Sequence, residues 1–148
     1  MATPSSPTLI TPANDAVVVG NVLVFVFSVP SDDDSDSLVF RLELDTVDPP
    51  SSSNTNYKIN ESRYSSNQKT HGKWEVKNGS GNYIVMPSGG VKSDYYGRDA
   101  KVTIRLRDTV NYPALNTDWY WRISASDAMM YPPVYNKVIY GRTEYLNL

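Results

Sequence analysis

The chain alternates apolar and polar residues with a period of two, the spacing of half-buried β-strands. Val22–Val29 puts Leu23, Phe25, Phe27 and Val29 on one face and Val22, Val24 and Val26 on the other. Leu38–Asp45 points Leu38, Phe40, Leu42 and Leu44 one way and Val39, Arg41, Glu43 and Asp45 the other. Val102–Arg107 sets Val102, Ile104 and Leu106 against Thr103, Arg105 and Arg107. Asp118–Asp127 sets Trp119, Trp121, Ile123 and Ala125 against Tyr120, Arg122 and Ser124. Shorter runs predict strands at Leu9–Ile10, Val17–Val19 and Lys137–Gly141, and a hairpin in which Lys73–Lys77 and Asn82–Met86 flank an NGSG turn. No window carries a helical stripe.

Several short strands separated by turn signals predict an all-β domain, a single β-sandwich of about seven strands with a core between two facing sheets. A one-sided sheet normally shows polar residues to water, so Val22, Val24 and Val26 call for a cover. Either an insertion folds over them or another subunit does. The first eight residues, with Pro4 and Pro7, read as an extended N-terminal arm, and residues 9–148 as the sandwich. Within it, 46–72 is a long polar insertion after the third or fourth strand, rich in Ser and Asn and anchored at most by Tyr57, Ile59 and Tyr64.

Length and charge narrow the function. At 148 residues the chain is long enough for one real core. A formal charge of -2 lacks the basic footprint of a nucleic-acid binder. The absence of cysteine removes disulfides and thiolate metal sites. MATPSSPTLI has neither the basic start nor the apolar run of a secretory signal, and Val22–Phe27 is too short to span a bilayer, so neither export by that route nor a membrane partner is expected. Eleven tyrosines suit strands and wet contact surfaces alike.

Candidate chemistry is sparse. Asp32, Asp34 and Asp36 fall at the first, third and fifth positions of a calcium-loop pattern and Glu43 at the twelfth, but Ser37 stands where that loop needs Gly. A strand over Leu38–Asp45, rising about 3.3 Å per residue, would carry Glu43 roughly 15 Å past the loop. What survives is a looser calcium site on Asp32, Asp34 and Asp36, against the plainer reading of a solvated acidic loop. His71, the only histidine, sits in a polar stretch with no Gly-x-Ser-x-Gly elbow anywhere, so no enzyme is expected. Trp119 and Trp121 share a face with Ile123 and Ala125 and read as core. Tyr95, Tyr96, Tyr131 and Tyr135 read as loop residues that either contact a partner or lid the sandwich.

Several segments carry a resemblance: PTLITPANDAVV, VFVFSVP, LVFRLELD and above all WYWRISASD. These resemble a fibronectin type III or related immunoglobulin-like domain. GKWEVKNGSGNYIVMPSGGV followed by DAKVTIRLRD is similar to a variant found in phage and prophage structural proteins. The likeness covers most of residues 8–142, although the insertion is longer than such domains usually need. It implies a virion protein made in the host cytoplasm, a decoration protein of a capsid or tail. Contact would run through an edge strand, the arm or aromatic loops, with capsid or tail proteins or further copies of the chain as partners. The expected interface residues are Val22, Val24, Val26, Tyr95, Tyr96, Tyr131 and Tyr135. The alternative is a carbohydrate-binding module in which Trp74, Tyr95, Tyr96 and Tyr131 meet a surface glycan.

Overall fold

The computed structural model describes residues 4–32, 37–63, 72–107, 112–127 and 136–146, the last of these as backbone. Ten strands and one 3₁₀ turn (Ser93–Tyr95) make up their regular structure. In chain order the strands are β1 (Thr8–Thr11), β2 (Ala16–Val19), β3 (Val22–Ser28), β4 (Leu38–Asp45) and β5 (Lys58–Glu61). They continue with β6 (Lys73–Lys77), β7 (Tyr83–Val85), β8 (Asp99–Arg105), β9 (Asp118–Asp127) and β10 (Asn136–Leu146). The first sheet has the order β1-β3-β8-β6-β7 and the second β2-β10-β9-β4-β5. Neighbours are antiparallel, except that β2 runs parallel to β10. No helix among the described residues is long and apolar enough to cross a membrane.

The core follows the alternation. Leu23, Phe25, Phe27, Val102, Ile104, Trp74 and Val76 are buried from the first sheet; Leu38, Phe40, Leu42, Leu44, Trp119, Trp121, Ile123 and Ala125 are buried from the second. Rings interlock across the gap. Phe25 meets Trp121 at 4.6 Å between centroids and Phe27 meets Phe40 edge-on at 4.9 Å. Each of two buried indoles also finds an acceptor: Trp74 Nε1 donates to Asn60 Oδ1 at 2.6 Å and Trp119 Nε1 to the Ala114 carbonyl at 3.1 Å.

All but one of the strands lie where alternation places them, and their ends move where a neighbour extends the ladder. β8 begins at Asp99, because Asp99 pairs with Ser28; β10 runs on past Gly141, because Thr143–Leu146 pairs with Ala16–Val19. The added strand is β5, in the polar insertion. Its sequence, KINE, carries one aliphatic residue, but pairing Arg41 to Glu61 and Leu44 to Lys58 satisfies its backbone along β4.

Two connections are pinned by specific geometry. Gly90 has φ +99°, and a Cβ there would lie 2.7 Å from the Leu38 carbonyl oxygen. That close approach lets Val91 exchange hydrogen bonds of 2.8 and 2.9 Å with Leu38, fixing the start of β4. The N-terminal segment, expected as an arm, is docked over its described part: Pro4 and Pro7 are buried, and Ser5 N and Oγ each donate to the Ser31 carbonyl at 3.0 Å.

Candidate interaction face

Each sheet has an outer face, and the two are built differently. On the first, β3 contributes Val22, Val24 and Val26, and β8 sets Arg105, Thr103 and Lys101 directly across from them. β6 continues the rows with Lys73 and Glu75, and β7 ends them with Val85. Val22 is 42% exposed and Val24 37%, whereas Val26 is half-buried; Val85, across the sheet on β7, is 71% exposed. β1, which flanks β3, carries Ile10 at a bulge, also exposed. The charged columns are laced together. Glu75 lies 3.8 Å from both Lys73 and Lys101, and Lys77 lies 3.4 Å from Asp99. Lys101 also sits over the Tyr83 ring at 4.1 Å.

The insertion, one of the two expected covers for the valines, is engaged elsewhere over its described residues. Its first part folds back on the second sheet around carboxylates of β4. Asp45 is fully buried; its Oδ1 accepts from Thr46 N at 2.8 Å, and its Oδ2 accepts from Ser51 N at 3.0 Å and Asn54 Nδ2 at 2.9 Å. Three donors satisfy the buried carboxyl group and fix the loop that carries Tyr57.

Tyr57 then reaches Glu43, donating its hydroxyl to Oε2 at 2.6 Å. From β9, Arg122 grips the same carboxylate with two prongs: Nε to Oε1 at 2.8 Å and Nη2 to Oε2 at 3.0 Å. Burial pushes the Glu43 carboxyl up, but donation from Arg122 and Tyr57 and the nearby guanidinium charges outweigh it, so its pKa falls below the ordinary 4.5. Burial, then the Glu43 carboxylate, push the Tyr57 phenol up and keep it protonated. The hydrogen bond to Glu43 likewise raises the Arg122 guanidinium. One step along β4, Arg41 donates to Glu61 Oε1 from Nη2 at 3.1 Å and from Nε at 3.3 Å.

Among the other expected site residues, Tyr95 and Tyr96 are half-buried and pack against the core, and Tyr96 Oη donates to the Asp32 carbonyl at 3.4 Å. Asp32 itself is buried. Asp34, Asp36, His71, Tyr131 and Tyr135 lie outside the described residues. No group of three or more His, Cys, Asp or Glu side chains that could hold a metal ion occurs among the described residues. Trp74 is only 5% exposed and lies near-parallel to Phe40 at 6.4 Å between centroids, so its ring is packed into the core. Beside it an open groove of about 490 Å³ is lined by Ser62, Lys73, Val85, Met86 and Pro87 as well as the indole. The Tyr57–Glu43–Arg122 cluster was not foreseeable as a unit, since its members come from distant segments; the only trace was that Glu43 and Arg122 each occupy outward positions on clean strands. Comparison of the chain with protein-family profiles, curated proteins and solved structures returned no match.

Proposed function

We propose that this chain is a non-enzymatic binding module that attaches to a protein assembly through the outer face of its first sheet. The setting we favour is the surface of a phage particle, with capsid or tail proteins as partners. The observation that carries the reading is the exposure of Val22 and Val24 on the outer face of β3. The finer fold reading has its own support. The orders β1-β3-β8-β6 and β10-β9-β4-β5 follow the A-B-E-D and G-F-C-C′ arrangement of immunoglobulin-like sandwiches. Fold does not fix function, so the phage setting rests on the sequence resemblance alone.

Co-sedimentation with assembled capsid and tail particles tests it. The wild-type chain should pellet with one of them, and Val22→Asp/Val24→Asp should stay in the supernatant while keeping its β-sheet circular dichroism. A double variant that unfolds would show that the face is covered within the chain, and the interface would be lost as an explanation. Binding to a glycan array that survives the double substitution would instead favour the carbohydrate module, at the groove beside Trp74.

A further inference from the structure

The charge around the valine column is lopsided. Among the described residues on the outer face of the first sheet, Lys73, Lys77, Lys101 and Arg105 face only Glu75 and Asp99, an excess of two cations in a chain whose formal charge is -2. The pairing leaves that excess open to solvent. Glu75 is shared between Lys73 and Lys101, and Asp99 is taken by Lys77. Arg105, directly across the ladder from Val22, is exposed and has no ionic partner among the described residues. The apolar column is thus bordered on its β8 side by Arg105, which has no ionic partner among the described residues, and by Lys101, which shares Glu75 with Lys73.

From this we infer that the occupant of the face is an acidic protein segment, with aliphatic side chains against Val22 and Val24 and carboxylates meeting Arg105 and the Lys73–Lys101 pair. The inference rests on the reading of this face as the docking surface. It disfavours a second copy of the chain joined face to face about a twofold axis that crosses the strands, because that apposition would bring the same cationic border against itself. Charge of this kind, at the rim of an apolar contact, sets partner choice and association rate and weakens as salt screens it.

Panning a random peptide library on the folded chain tests the inference, with single binders then measured against Val24→Ser, Val22→Ser and Arg105→Glu. Enriched peptides should combine Asp or Glu with Val, Ile or Leu. Their binding should fall about tenfold with Arg105→Glu and with either serine variant, and should weaken as salt is raised. Peptides that depend on the valines but are not acidic, and that ignore Arg105→Glu, would overturn the acidic occupant while leaving the docking face standing. Binders indifferent to both serine variants, or no binders at all, would remove the face and the inference together. Light scattering supplies one more check: a concentration-dependent dimer abolished by Val24→Ser would make the occupant a second copy.

Discussion

The strand with charges on its outward positions is the buried one, and the strand with apolar residues on both faces is the one left open. β4 carries Arg41, Glu43 and Asp45 outward, yet seven of its eight residues are buried and only Arg41 is partly open. β3 carries only valines and a serine outward, and Val22 and Val24 remain exposed. The difference is what each strand finds beside it. β4 lies between β9 and β5, which bring Arg122 and Glu61 to its charges, and the following loop folds its backbone donors onto Asp45. On the outer face of β3 the neighbouring side chains of β8 half-bury Val26 but leave Val22 and Val24 exposed. Hydrophobicity alone therefore ranks these two faces in the wrong order, because a charge can be buried when well-placed hydrogen-bond partners offset its desolvation and an apolar side chain stays exposed when nothing packs on it.

Breaking the ionic side of this contrast should have the largest effect. Glu43→Ala strips Arg122 and Tyr57 of their common acceptor in a largely dry site, and should lower unfolding free energy by about 3 kcal/mol in urea titrations. A loss below about 1 kcal/mol would mean the network decorates the sheet without holding it. Acid should act on the same group. Because the folded pKa of Glu43 lies below its ordinary 4.5, the unfolded chain takes up the proton first. Its contribution is present above that value and is lost as pH falls through the lowered folded pKa. The stability gap between wild type and Glu43→Gln should accordingly narrow on acidification, and a gap that widens would reverse the assignment.

Asp45→Ala should come next, at about 2 kcal/mol, since it leaves two backbone N–H groups and one side-chain amide without their acceptor. Hydrogen exchange at the Ser51 amide should accelerate in that variant even under strongly native conditions; unchanged protection would show that the loop holds without the carboxylate. Smallest of all is the effect expected on the open face. Val24→Thr keeps the β-branched shape and should alter stability by no more than about 0.5 kcal/mol. A larger loss would place Val24 in a packed environment and bring the two faces closer in kind.

Much of the sandwich was legible in the sequence. Period-two alternation located every strand but β5 and chose the inward face of β3, β4, β8 and β9 correctly. The fate of the polar insertion was not legible. Residues 46–57 are held by Asp45 and Glu43 through contacts that depend on position and not on composition, so a Ser/Asn-rich stretch reads as irregular whether or not acceptors await it. The docking of Ser5 on the Ser31 carbonyl escaped for the same reason. The neighbours of Trp74, Phe40 on one side and Asn60 at its nitrogen, likewise come from distant segments that its hairpin does not announce.

Alternation and turn residues, both local, were enough by themselves to determine that this chain is a β-sandwich with an aromatic core. A side chain's direction along a strand follows from backbone geometry alone. Tertiary structure decided which outward positions meet partners. It joined Glu43 to Arg122 and Tyr57, turned the insertion toward β4, and left Val22 and Val24 facing solvent. Those outcomes depend on strand order and loop path, which bring together residues far apart in the chain, and no local pattern records them.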